Sequence, residues 1–279
     1  MKNILTIDLE NWYHPEYVRR EGFAGGADRV AESLGKTLRL LDECDVRATF
    51  FVVGEIVERH PELLEEIGDG GHEVAFHGYH HVPLWELDSK TFRLELDRFT
   101  SLTNEKCGGF RAPSFSLSNE TRWALKVLEE AGFSYDSSIF PSRTPLYGVW
   151  DAPMGPYRPS FEDVTREDET TRLWEFPLLV YSLLGVRVPM AGGFFLRFFP
   201  DYLLKRAIRQ VNRRGFPAVI YVHNWELDAE TPRLRLGPYA SFVTYHNLGK
   251  TGRKLRRILG LFSFTSFRDY LGEHGLSDA

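Results

Sequence analysis

The strongest constraint on this chain is a recurring pair: a short, mostly apolar run, then a segment with helical spacing. Asn3–Ile7, Ala48–Val53 (ATFFVV), Glu73–Phe76 and Pro217–Val222 (PAVIYV) read as strands. Such runs are apolar on both faces, as strands are when helices cover both sides of a parallel sheet. Arg29–Glu43 carries Val30, Leu34, Leu38 and Leu41 at spacings of three and four, the period of one helix face. Pro61 opens a helix over Pro61–Asp69, and Gly70-Gly71 ends it. Asp88–Asn104 reads as a longer helix, and Gly109–Arg111 as a short strand. Asn119–Ala131 reads as a helix that Ser118 is placed to cap. Leu173–Leu178 and Phe262–Thr265 read as further strands, Tyr202–Arg213 and Lys250–Leu261 as helices, and Ser266 opens a closing helix. Seven or eight such units fit an α/β fold of the irregular (β/α)7–8 barrel type. With no linker and no internal repeat, a single domain over residues 1–279 is expected. Residues 140–172 hold five prolines and no clear period, so they read as an inserted loop walling a cleft.

Composition narrows the function classes. The chain is 43% hydrophobic and 14% aromatic, which is globular rather than disordered. A net charge of −5 and a pI near 6.0 give no nucleic-acid footprint. Cys44 and Cys107 stand far apart with no Cys-x-x-Cys, so reduced thiols are expected rather than a thiolate zinc site. Charge arrives early, at Asp8 and Glu10, and no apolar run reaches spanning length, so the expected location is the cytoplasm. Lys250–Arg257 (KTGRKLRR) reads first as the solvated side of a helix. Peripheral contact with an anionic membrane is its alternative reading. The oligomeric state is not legible.

In α/β barrels the chemistry sits at the carboxyl ends of the strands. Here those ends deliver Asp8 and Glu10, then His77–His81 (HGYHH), then Arg111, then His223. His77 and His81 are four residues apart, so a helical turn beginning at His77 would put both imidazoles on one face. A carboxylate from Asp8 or Glu10 would complete a two-His, one-carboxylate set suited to zinc or a similar divalent ion, with His80 pointing elsewhere. The competing reading is a solvated strand end that happens to be rich in histidine. A metal to polarise a carbonyl, a carboxylate to take a proton and a histidine to give one are the parts for hydrolysing an amide or ester without a covalent intermediate.

Residues 6–12 (TIDLENW), 72–81 (GHEVAFHGYHH), 111–116 (RAPSFS) and 219–226 (VIYVHNWE) resemble the ordered motifs of the NodB-type polysaccharide deacetylases, the carbohydrate esterase family 4-like group. FSFTSFRDYL near the end resembles that fold's last strand and helix, so the likeness covers most of the chain. YDSSIFP and HNWELD are similar to stretches of the subgroup found in exopolysaccharide loci, including the PEP-CTERM-associated deacetylases. The resemblance implies a general base at Asp8, a metal ligand at Glu10, two more at His77 and His81, an arginine holding the base at Arg111 and a general acid at His223. It also implies one divalent ion, with zinc expected first and cobalt, nickel or manganese as the other ions such a set accepts. The implied substrate is an N-acetylated sugar, with Pro113, Ser114 and Trp225 as candidate contacts. Three departures stand out. Leu9 separates the two acidic residues and the second is Glu10, with Asn11 as a neighbour able to contribute instead. The usual aspartate that orients the acid histidine has no clear counterpart; Asp136 in YDSSIF reads either as near the site or as structural. Trp225 replaces a second histidine and is open to two readings, stacking on a sugar or packing. The competing functions are hydrolysis of another C–N bond, as by a deformylase or small-amide hydrolase, and a carbohydrate-binding barrel without activity.

Overall fold

The computed structural model describes residues 1–23, 26–103 and 107–276. Its strands are β1 (Asn3–Leu9), β2 (Thr49–Val52), β3 (Glu73–Phe76), β4 (Gly109–Phe110), β5 (Tyr135–Asp136), β6 (Trp174–Glu175), β7 (Val180–Leu183), β8 (Val186–Pro189), β9 (Val219–His223) and β10 (Phe264–Thr265). Its helices are α1 (Glu16–Arg19), α2 (Val30–Glu43), α3 (Gly54–Arg59), α4 (Glu62–Asp69), α5 (Ser89–Leu102), α6 (Trp123–Glu130), α7 (Gly193–Phe198), α8 (Asp201–Asn212), α9 (Pro238–Tyr245), α10 (Thr251–Leu259) and α11 (Phe267–His274).

The main sheet is parallel and curves through β1, β2, β3, β4, β5 and β6 in chain order, with β9 and β10 also paired to β1. Past β6, among the described residues, one backbone bond leads back to the start: Leu179 N–H donates to the Val219 carbonyl at 3.0 Å. The expected irregular (β/α) barrel is therefore the fold, with a weak seam between β6 and β9. All seven residues of β1 are buried, which is why this strand can be the centre of the sheet. Register places Asp8 level with His223 on β9 and with Phe51 on β2, so β1 and β9 deliver their polar ends side by side.

Several elements differ from the sequence expectation. The helix expected from Asn119 begins at Trp123, and Ser118 does not cap it. Ser118 and Thr121 bond within a local turn instead: the Ser118 N–H donates to Thr121 Oγ1 at 2.9 Å, and that hydroxyl donates to the Ser116 carbonyl at 2.7 Å. Short hydroxyl side chains compete with helix formation in this way. The strand expected over Leu173–Leu178 shortens to two residues, and Arg111 lies just beyond β4. The Asp88–Asn104 helix runs Ser89–Leu102 with Asp88 as its N-cap, and Asn104 lies outside the described residues. The antiparallel β7–β8 pair, α7 and α9 were not anticipated. Of the 140–172 stretch, Arg143–Tyr147 wall the cleft as expected. Tyr157 instead bridges to Glu175 of β6, and Pro159 bridges to Glu167 within the same stretch.

Candidate active and metal site

The barrel rim gathers the predicted residues into one cleft of about 340 Å³, whose lining includes Asp8, Glu10, His77, His81, Ser114 and His223. HGYHH is not helical. β3 ends at Phe76, Gly78 turns the chain at φ +72°, and His81 itself takes a left-handed φ of +53°. A non-glycine residue in that region costs on the order of 1–3 kcal/mol and persists only where its surroundings impose it. The expectation of a helical turn is thus corrected, yet the two rings still meet, with centroids 5.0 Å apart. A Cβ on Gly78 would fall 2.8 Å from Pro113 Cγ, so the turn is pressed against the RAPSFS segment. Pro113 is buried there, while Ser114 reaches the cleft.

Glu10, His77 and His81 each offer one ligand atom, and these atoms lie within 4.8 Å of one another. The donor set fits a divalent cation. His77 Nδ1–H donates to the Arg111 carbonyl at 2.7 Å, which fixes the tautomer and leaves the Nε2 lone pair facing the cluster. Burial pushes the His77 imidazole down to about 4, so it is neutral at pH 7. His81 Nε2 lies 2.7 Å from Glu10 Oε2. Burial opposes charge on Glu10, but His81 and His223 hold its carboxyl far below the usual range. Trp225 Nε1–H donates to Glu10 Oε1 at 3.0 Å, and the Glu10 N–H donates to Asn224 Oδ1 at 3.0 Å. Trp225 also stacks on His223, with centroids 5.2 Å apart, and is buried, so its ring braces the site from beneath. Asn11 is not grouped with the histidines, and its side-chain amide has no hydrogen-bond partner among the described residues. His80 is exposed and sits 3.4 Å from Glu55, outside the cluster.

Two further side chains face the cluster. Arg111 is fully buried and donates to Asp8 Oδ1 at 2.7 Å, to Thr6 Oγ1 at 2.7 Å and to the Ser137 carbonyl at 2.9 Å. With Phe51 packed against its guanidinium 4.2 Å away, Arg111 has one place to sit and so sets the plane of Asp8. Asp8 Oδ2 lies 3.9 Å from His77 Nε2. From β9, His223 Nδ1–H donates to Glu226 Oε2 at 3.0 Å and points Nε2 towards Glu10, 3.7 Å away. Burial works against a charged His223, but Glu10 and Glu226 together raise its pKa to about 9.

Glu226 and Arg197 were missed by sequence reasoning. Burial of Glu226 is outweighed by Arg197 and His223, which hold its carboxyl at about 2. Arg197 pairs with Glu226 Oε1 and also donates to the carbonyls of His246, Val243 and Thr244. A Cβ on Gly193 would overlap Glu226 Oε2 at 1.8 Å, so only glycine leaves room for this carboxylate. The available signal was the spacing in HNWE, since a carboxylate three residues after a strand-end histidine can fold back on it. Asp136, which the sequence left open between a place near the site and a structural role, accepts from Ser138 Oγ behind Arg111. There burial pushes its carboxyl up to about 6, away from His223.

The barrel rim thus holds a buried Glu-His-His set, an arginine-held aspartate and a carboxylate-held histidine. Residues 26–135 match the family model described as "Polysaccharide deacetylase". Residues 137–272 match a model described as "Domain of unknown function (DUF3473)", and both segments contribute strands to the one sheet. A peptidoglycan deacetylase-like protein of Gibberella zeae is 33% identical over 41% of this chain and 35% of its own length. The peptidoglycan deacetylase of Helicobacter pylori is 30% identical over 48% of this chain and 44% of its own. The matches thus span less than half of these relatives. A crystal structure of a candidate polysaccharide deacetylase from Mycobacterium smegmatis covers 98% of this chain and 90% of its own, at a TM-score of 0.58 and 20% identity. PuuE allantoinase covers 95% of this chain and 87% of its own, at 0.56 and 18%. At such identities these two structures speak to the fold alone.

Proposed function

We propose that the protein is a metal-dependent N-deacetylase acting on an N-acetylated amino sugar of a polysaccharide or its precursor, with zinc in the Glu10–His77–His81 set. One observation carries the reading. Two proton-transfer groups, Asp8 clamped by Arg111 and His223 clamped by Glu226, flank that set within a single cleft. When bound in such a set, a divalent ion supplies polarisation of an acyl oxygen and acidifies water. Asp8, held in one orientation by Arg111, accepts a proton from the attacking water. His223, charged at neutral pH, gives a proton to the departing nitrogen, which otherwise leaves poorly. The new bond joins water oxygen to the acyl carbon, the C–N bond breaks, and acetate and a free amine result. Support for the sugar comes from the polysaccharide deacetylase match and from a cleft of about 340 Å³ with aromatic walls, including Tyr147, Tyr221 and Phe115.

The test combines metal analysis of the purified protein with acetate release from N-acetylated oligosaccharides. Asp8→Asn is expected to keep the metal and lose most turnover. His223→Ala is expected to keep it and lose roughly 10²–10⁴-fold in rate, the worth of a positioned acid. His77→Ala should lose the metal. If wild-type protein holds metal and cleaves formamides or small amides while leaving acetylated sugars intact, the acetyl-sugar reading is wrong.

A further inference from the structure

The cleft has one wall that does not stop at its mouth. Phe194, on α7, lines the cleft and packs against Phe198 at 5.6 Å and Phe242 at 5.7 Å. Those two lie outside, 48% and 43% exposed; Tyr239, one turn before Phe242 on α9, and Tyr202, near the start of α8, are 54% and 63% exposed. Large aromatic rings left in water side by side mark a surface that meets something apolar.

The stretch of chain that carries these rings is basic. Residues 193–257 hold 13 Lys and Arg against 4 Asp and Glu, a net +9, whereas the rest of the chain holds 21 against 35, a net −14. Of the four acidic residues, Glu226 and Asp228 are buried, and Asp201 is paired with Arg257 at 3.2 Å. Basic residues lie on the same elements as the rings or on elements packed against them. Lys254 donates to the carbonyls of Leu196 at 3.0 Å and Arg197 at 3.2 Å, which seats α10 against α7. Lys250 and Arg253 sit on the same helical stretch, exposed. His246, whose ring meets Phe242 at 4.8 Å and Phe198 at 6.2 Å, lies one turn before Lys250. On α8, Arg206 follows Tyr202 by four residues and so shares its outward face. Arg206, Lys250 and Arg253 have no acidic partner among the described residues.

We infer that this face docks on an anionic phospholipid bilayer, with Phe198, Tyr202, Tyr239 and Phe242 seated at the headgroup level and the cleft mouth turned towards the membrane. Aromatic rings favour that interfacial depth, and unpaired cations next to them gain from the negative surface potential. No helix among the described residues is long and apolar enough to cross a membrane, so the contact is peripheral. Continuity of the patch with the cleft brings a substrate held at the membrane surface directly to Phe194. The docking itself does not depend on the deacetylase reading.

The experiment is co-sedimentation of the full chain with vesicles of phosphatidylcholine alone, or with about one-third phosphatidylglycerol. Binding is expected to the anionic vesicles only, and to fall at least roughly tenfold as added salt screens it. The triple variant Arg206→Glu, Lys250→Glu, Arg253→Glu should bind on the order of 100-fold more weakly, from about fivefold per basic residue. Its hydrolysis of a soluble substrate should be unchanged, since none of the three residues lines the cleft. Phe198→Trp in the otherwise native chain reports depth, and brominated acyl chains should quench the introduced indole. Equal binding to neutral and anionic vesicles, or an unquenched indole, overturns the proposal. So does a soluble polyanion such as heparin binding as tightly as vesicles do, since that would make the face a polyanion site.

Discussion

Glu226→Gln is the sharpest test of how the site sets its acid. The change keeps the side chain's shape and removes the charge that faces His223 Nδ1 at 3.0 Å. His223 is held at about 9 by two carboxylates, with Glu10 the larger pull and Glu226 the next. A neighbouring opposite charge at this range is worth roughly 1–3 pH units, so the variant's histidine should titrate at roughly 6–8. At pH 8 the protonated fraction would fall from about nine-tenths to about one-tenth for a midpoint near 7, a loss of about tenfold in turnover. The assay is acetate release at saturating substrate across alkaline and neutral pH. The falling limb, expected near pH 9 in the native protein, should move towards neutrality, and the two proteins should converge in rate at the acid end. Arg197 keeps its three carbonyl acceptors, so the loss of stability should stay near the low end of the roughly 3–5 kcal/mol typical of a broken buried pair. A uniform drop in rate with the limb still near pH 9 would refute the reasoning, because Glu226 would then matter only for folding.

Other outcomes follow from the same geometry. Trp225→Phe removes the N–H donated to Glu10 and should weaken metal binding by roughly 10–100-fold, measured by competition with a chelating dye. Arg111→Met leaves Asp8 charged, buried and unpaired, and should cost about 3–5 kcal/mol in chemical denaturation. The metal-free protein should lose stability as pH falls from 6.5 towards 4. His77 takes up its proton in the unfolded chain near 6.5 but in the folded chain only near 4, so the unfolded state binds more protons in that window. The loss from this residue approaches about 3 kcal/mol, and a melting temperature at pH 5 equal to that at pH 7 would contradict it.

The amino-acid order alone determined the alternation of strand and helix, because burial on both faces leaves a run such as ATFFVV no polar side to conceal. It also determined which residues stand at strand ends, and so the grouping of Asp8, Glu10, His77, Arg111 and His223 on one rim, since parallel strands in a barrel all end at the same face. How those residues meet was decided in three dimensions. His77 and His81 converge through a glycine turn and a left-handed histidine, held by contact with Pro113, and no spacing rule encodes that contact. The partner of His223 depended on Arg197, 29 positions away, neutralising a carboxylate that would otherwise be too costly to bury. Trp225, open to two readings in the sequence, became a donor to Glu10 because β9 lies beside β1 in a register that carries its flanking loop beneath that carboxylate. Local pattern is set by the chain's own neighbours, whereas the pairing of a buried charge is set by whatever the fold brings within hydrogen-bond reach, and that distance exists only in the folded protein.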